Sequence, residues 1–109
     1  MLSDKECIPC KGGVPPLGAD AIAKYRAELN AEWEVIDEHH LSREFAFKDF
    51  AEALAFTNRV GAMAEEQNHH PDIQLSWGKV KLVIWTHDAG GLTQNDFVWA
   101  AKADQRLAE

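Results

Sequence analysis

The run from Lys79 to His87 places the strongest constraint on the fold, because it alternates in both registers. One side of this run carries Val80, Leu82 and Ile84, and the other carries Lys81, Val83, Trp85 and His87. A strand with one solvated face is apolar on one side only, whereas a strand that is apolar on both faces is covered on both. The run therefore predicts a strand that is central in a sheet or buried between subunits.

The other segments fall into two kinds by their periodicity. Alternating patterns cover residues 32–36, 43–48 and 72–77, and helical patterns cover residues 17–29, 49–66 and 93–107. Asp49 and Glu52 have capping-box spacing at the start of the second helix. The face predicted to be buried on that helix holds Phe50, Ala53, Leu54, Phe56, Thr57, Val60, Gly61, Met63 and Ala64. The order α-β-β-α-β-β-α predicts an α+β fold, with a four-stranded antiparallel sheet and helices on one face.

Length and composition limit the classes of function. A chain of 109 residues is expected to form one domain, with residues 1–16 as an irregular N-terminal arm and 17–109 as the folded part. The net charge of −7 argues against binding to nucleic acid or to an anionic membrane surface. The start of the chain is acidic and lacks the apolar core of a secretory signal, so a cytoplasmic location is expected. Cys7 and Cys10 form a lone Cys-x-x-Cys in the arm, interpreted as structural or incidental, with a metal completed by other groups or another subunit and redox activity as the alternatives.

Histidines give the first indication of function. His69 and His70 directly precede Pro71, and His87 follows the last predicted strand. A hairpin that turns at Gly78 would bring His87 within reach of the adjacent pair. Histidine exchanges protons near neutral pH, so such a cluster indicates proton transfer or a metal.

Two alternatives use the same residues. The simpler explanation is that three histidines at strand and helix ends are merely solvated. A second adjacent pair, His39 and His40, is interpreted as surface in a polar loop, so two adjacent histidines alone are weak evidence for a site. The second alternative is a zinc or iron site, because carboxylate and imidazole groups are ligands for these metals. Its ligands would be Glu65, His69, His70 and His87. Adjacent histidines rarely bind one ion comfortably, however, and no further carboxylate completes a facial triad.

A longer spaced pattern resembles a known family. The matching residues are Trp33, Phe45-Ala46-Phe47-Lys48-Asp49-Phe50, Glu65, His69-His70-Pro71, Trp77, Thr86-His87, Gly91-Leu92-Thr93 and Asp96. This pattern resembles that of the pterin-4a-carbinolamine dehydratases, also called 4a-hydroxytetrahydrobiopterin dehydratases. The resemblance implies that a 4a-hydroxytetrahydropterin is dehydrated to quinonoid dihydropterin, without metal or cofactor. It places the activity in tetrahydrobiopterin recycling after an aromatic amino acid hydroxylase.

The resemblance also implies roles for individual residues. His69, His70 and His87 match the family's active-site histidines; we expect His69 and His87 to transfer protons and His70 to hold the pterin. Which of His69 and His87 is the acid stays open. Substrate-binding or orienting roles are expected for Glu65, Pro71, Trp77 and Asp96. Asp96 could instead cap the last helix, and Trp77 could simply pack at a turn.

The family resemblance also leaves a different class of function to consider. The family assembles by pairing subunits, so a homo-oligomer, either a dimer or a tetramer, is expected. Some animal relatives bind a transcription factor, so a non-catalytic protein-binding module is the alternative to an enzyme, since a fold alone does not imply activity.

Overall fold

Three helices and four antiparallel strands make up the fold, in the order predicted from the sequence. The computed structural model describes residues 1–8 and 15–108. Its helices and strands are α1 (Ala19–Arg26), β1 (Glu34–Ile36), β2 (His40–Ala46), α2 (Phe50–Gln67), β3 (Asp72–Ser76), β4 (Lys79–Ile84) and α3 (Gln94–Gln105). Short 3-10 turns cover Leu2–Asp4, His87–Ala89 and Arg106–Ala108. Within the described residues, no helix is long and apolar enough to cross a membrane.

The sheet has the strand order β1-β2-β4-β3, so β4 lies between two neighbours as the sequence predicted. On its core face, Val80, Leu82 and Ile84 are fully buried, while Lys81 and Val83 on the opposite face are half-buried. The strand ends earlier than expected, however. It stops at Ile84, and His87 begins the 3-10 turn instead of closing the strand.

Helix α2 runs along the core and ends at Gln67, just before His69 and His70. Asp49 caps it as predicted, because an oxygen of its side chain accepts a hydrogen bond of 2.9 Å from the backbone N–H of Glu52. Its buried residues are Ala53, Phe56, Val60, Met63 and Ala64. The predicted inner face was too wide, because Phe50 and Leu54 are exposed. The helix thus buries a narrower stripe than its apolar composition suggested.

Two tryptophans at the centre of the core differ in their polar contacts. Trp33 and Trp99 are both fully buried. The indole Nε1 of Trp33 donates to Asp104, which also accepts a 2.8 Å hydrogen bond from Arg43. Burial raises the pKa of the Asp104 carboxyl, and the contacts with Trp33 and Arg43 oppose that shift. A polar group therefore joins β2 and α3 at the edge of an apolar core.

The first eight residues contribute to the core although they lie in the arm. Leu2 is buried, and the ammonium group of Lys102 on α3 donates to the carbonyl of Ser3. The remainder of the predicted arm that is described, Pro15 and Pro16, leads into Leu17, whose N–H donates to the carbonyl of Leu92. These contacts tie the N-terminal residues to the segment around α3.

Candidate active site

His69, His70 and His87 line one cleft, of about 320 Å³. This volume lies at the small end of the range for small-molecule sites, roughly 300–1,000 Å³. The convergence inferred from the hairpin is therefore present in the fold.

The end of α2 and the β3–β4 pairing together explain how this cleft forms. Asn68 adopts the left-handed conformation, with φ of 51°, and so ends the helix and turns the chain. Asp72 then pairs with Val83 across the hairpin. Continuing that register by two or three residues places His69 and His70 opposite the segment that leads from β4 to His87.

A buried carboxylate holds His69 in place. Nε2 of His69 lies 2.7 Å from one carboxylate oxygen of Asp96, which is fully buried. The other oxygen accepts from the Thr86 hydroxyl at 2.9 Å and from the backbone N–H of Thr93 at 2.8 Å. A carboxylate held beside Nε2 in this way sets the tautomer and the orientation of the His69 ring. Asp96 thus caps α3 and orients an imidazole.

Glu65 binds the second histidine of the adjacent pair. Its carboxylate lies 2.5 Å from Nε2 of His70. Both side chains are more than half exposed, at 78% for Glu65 and 54% for His70. Solvent screens such a pair, so it orients the ring more than it stabilises the fold.

His87 contacts Trp85, a residue that the sequence analysis did not assign to the site. The two rings are stacked, with centroids 4.3 Å apart and planes at 20°. Trp85 also lines the cleft. Residues two apart on an extended chain share a face, so the spacing of Trp85 and His87 was a signal that could have identified this contact.

Trp77 and Pro71 are not brought to the lining of this cleft. Trp77 sits in the β3–β4 turn with 69% of its surface exposed. It lies seven positions after His70, about 23 Å of extended chain at roughly 3.3 Å per residue. The next residue in the turn is Gly78. Glycine suits this position because a Cβ there would lie 2.9 Å from the Phe47 carbonyl oxygen. Pro71 precedes β3 as predicted and is half-buried.

The interpretation of His39 and His40 as a surface loop is wrong in one respect. His40 begins β2, and both side chains are half-buried. Their rings lie 5.2 and 6.0 Å from the Trp85 ring. Burial, followed by the nearby His39, lowers the pKa of His40; Lys81 acts in the same direction and Asp37 opposes it. The pair therefore packs beside a residue of the cleft.

The N-terminal arm supplies part of the cleft wall. Cys7 and Ile8 both line it. The N–H of Cys7 donates to the side chain of Gln67, and the N–H of Ile8 donates to the side chain of Asn95 at 2.8 Å. Cys10, the second residue of the cysteine pair, lies outside the described residues. The sequence analysis missed this wall because Cys7 and Asn95 are 88 positions apart.

The family model described as "Pterin 4 alpha carbinolamine dehydratase" matches residues 15–106. The chain belongs to this family. A protein of Alkaliphilus metalliredigens named "Putative pterin-4-alpha-carbinolamine dehydratase" is 54% identical over 108 residues, covering 99% of this chain and 97% of its own. A protein of the same name from Rubrobacter xylanophilus is 56% identical over 104 residues, covering 95% and 96%. Membership confirms the predicted resemblance and the enzyme class, since these dehydratases are hydro-lyases.

Two solved structures share the fold of this dehydratase-family chain. The crystal structure of a "transcriptional coactivator/pterin dehydratase" from Brucella melitensis has a TM-score of 0.78 at 27% identity, covering 84% of this chain and 98% of that one. A pterin dehydratase-like protein described as a RuBisCO assembly factor in the alpha-carboxysome has a TM-score of 0.63 at 22% identity, covering 73% and 94%. The second likeness concerns the fold alone.

The arrangement of possible metal ligands bears on the alternative of a zinc or iron site. Across residues 1–8 and 15–108, no group of three or more His, Cys, Asp or Glu side chains is placed to hold a metal ion. Glu65 and Asp96 instead bind separate imidazoles.

Proposed function

We propose that the protein dehydrates a 4a-hydroxytetrahydropterin to quinonoid dihydropterin and water by histidine acid–base catalysis. The observation that carries this proposal is the position of His69, His70 and His87 around one cleft of small-molecule size. The family match over residues 15–106 supports the choice of substrate. The expected setting is cytoplasmic tetrahydrobiopterin recycling.

The reaction needs two proton transfers on a flat ring system. The C4a–oxygen bond breaks while the N5 lone pair forms the C4a–N5 double bond. An acid must protonate the departing hydroxyl, which leaves as water, and a base must take the N5 proton. Each positioned group typically contributes about 10²- to 10⁴-fold in rate.

The contacts of the two histidines support one division of these roles. Asp96 stabilises the positive charge that forms on the imidazole when His69 accepts a proton, so His69 is the base. His87 is exposed in the same cleft, and its ring is stacked on Trp85 instead of contacting a carboxylate. It is the acid, and solvent returns the proton afterwards. His70, held by Glu65, binds the pterin.

Stopped-flow absorbance of carbinolamine breakdown tests this proposal. His69→Ala and His87→Ala should each lower kcat by about 10²- to 10⁴-fold, whereas His70→Ala should mainly raise KM. Phe50→Ala is the control, because Phe50 is exposed at the other end of α2, about 25 Å from Gln67 at 1.5 Å per residue. Equal rates for the wild type and His87→Ala would remove His87 from the mechanism.

A protein-binding role is the second candidate, favoured by the Brucella relative that is described as a coactivator as well as a dehydratase. Wild-type protein that is folded but does not accelerate the breakdown would support binding over catalysis.

The metalloprotein alternative has its own test. Dialysis against a chelator should leave the rate unchanged, and a loss that added zinc or iron restores would favour a metal site.

Oligomer formation is also part of the proposal. The second face of β4 carries Val83, and Trp85 directly follows the strand; both are only half-buried in the single chain. A second copy of the chain that covers this apolar surface would remove it from water. Light scattering of the purified protein should give at least twice the mass of one chain, 12.2 kDa, and the mass of a single chain would contradict the proposal.

A further inference from the structure

Each histidine of the cleft has a different neighbour that restricts its ring. His69 is bound by Asp96 and His70 by Glu65, in both cases through a carboxylate. His87 is stacked on Trp85. Within residues 1–8 and 15–108, no hydrogen bond to the His87 ring accompanies this stacking. The orientation of His87 therefore depends on an aromatic contact.

We propose that Trp85 is the positioning residue for His87. Its indole restricts the His87 ring as the carboxylates of Asp96 and Glu65 restrict the rings of His69 and His70. The proposal rests on the proposed function, because it concerns the acid of that reaction. Two aromatic rings prefer an offset-stacked arrangement at this separation, so the indole face favours one plane for the imidazole. Held in that plane, His87 presents its N–H to the substrate with less loss of rotational freedom.

The backbone around His87 explains why a side-chain contact is needed. The 3-10 turn is closed by hydrogen bonds from Gly90 N–H to the carbonyls of Thr86 and His87, with Gly90 in the left-handed region at φ of 70°. Thr86 N–H also donates to the Gly91 carbonyl. These bonds fix the main chain at His87 but leave rotation about its side-chain bonds free. The Trp85 ring restricts that rotation.

Trp85 is itself supported from the β1–β2 turn. Leu41 pairs with Ile84, so the next position along the ladder places His40 beside Trp85. The rings of His39 and His40 both approach the indole, and their Nδ1 atoms lie 3.1 Å apart. A row of rings thus runs from the turn to the cleft and limits the movement of Trp85. This arrangement gives His39 and His40 a place in the fold that their sequence did not indicate.

Proton NMR and kinetics of two Trp85 variants test the proposal. In the wild type, the ring protons of His87, assigned with His87→Gln, should resonate upfield because they lie over an indole. Trp85→Phe keeps a ring and should retain part of this shift. Trp85→Leu keeps bulk without a ring and should abolish it. Phe50→Ala is the control and should leave the His87 resonances unchanged.

The kinetic result should follow the same order. Trp85→Leu should lower kcat about tenfold, the scale expected when one restraint on a reacting group is lost, with KM within about twofold of the wild type. Trp85→Phe should recover most of the loss. A higher KM at unchanged kcat would overturn the proposal by making Trp85 a substrate contact, and so would wild-type His87 resonances in Trp85→Leu. If the wild type has no dehydratase activity, the proposed function fails, while the NMR shift still decides whether Trp85 orients His87.

Discussion

The Asp96 carboxylate, fully buried at the start of α3, lies 2.7 Å from Nε2 of His69, which follows the C-terminal end of α2. A buried carboxylate is costly unless hydrogen bonds compensate its charge, and Thr86 and Thr93 supply two of them. A helix cap needs only a solvated side chain. The burial of Asp96 therefore points to its second task, which is to hold His69.

Replacing this carboxylate by an amide should impair the reaction more than it impairs folding. In Asp96→Asn, an N–H group can face Nε2 of His69 and force the other tautomer, so kcat should fall about 10- to 100-fold. Glu65→Gln is the matched control, because its contact with His70 is largely exposed; we expect less than a fivefold change in kcat there. Equal losses in the two variants, measured by stopped flow with circular dichroism as the check on folding, would contradict an orienting role for Asp96.

The lowered pKa of His40 should appear in the pH dependence of stability. Between that lowered value and the ordinary 6.5, the unfolded chain binds more protons than the folded one, so the free energy of unfolding rises with pH across this window. The contribution is fully present above pH 6.5 and is lost on acidification. His40→Gln should flatten this part of the profile, measured by urea unfolding at several pH values. The difference between the two proteins near pH 8 gives the packing effect alone, and an unchanged slope below pH 6.5 would show that His40 is not responsible.

Asp104 should contribute far more to stability than a surface acid with a similar ion pair. Asp104→Ala leaves the Arg43 guanidinium and the Trp33 indole N–H without their shared acceptor. The Arg43 and Asp104 side chains are only 11% and 22% exposed, so removing one partner should lower the free energy of unfolding by about 3 kcal/mol. Glu44→Ala is the comparison, since its pair with Lys79 spans 3.8 Å and is more than half exposed; its effect should be below about 0.5 kcal/mol. Similar values for both in denaturant unfolding would refute the assignment.

The two core tryptophans should respond differently to the same substitution. Trp99 Nε1 is buried and has no hydrogen-bond partner within the described ranges 1–8 and 15–108, whereas Trp33 Nε1 donates to Asp104. Trp33→Phe loses volume and a hydrogen bond, and should cost about 3 kcal/mol. Trp99→Phe loses volume but also removes an unsatisfied polar group. It should therefore lower the free energy of unfolding by about 1 kcal/mol less than Trp33→Phe does. Thermal unfolding of both variants gives the comparison, and a larger loss for Trp99→Phe would contradict it.

Much of the fold could be predicted because it depends on local patterns. The Asp49–Glu52 cap, the length of α2 and the central place of β4 all follow from residues within a few positions of one another. The position of His87 near His69 followed from the hairpin at Gly78, which is also a local feature.

Only the tertiary structure decided which side chains complete the cleft. The sequence by itself determined the order of elements, the family motif and the three histidines. It did not determine that Trp85 rather than Trp77 lies at the site, or that Asp96 reaches His69 from α3. Periodicity records which face of an element is apolar, because that is a property of neighbouring residues. Contacts between distant elements depend instead on strand register, on where a strand gives way to a turn, and on the rotamers that packing allows.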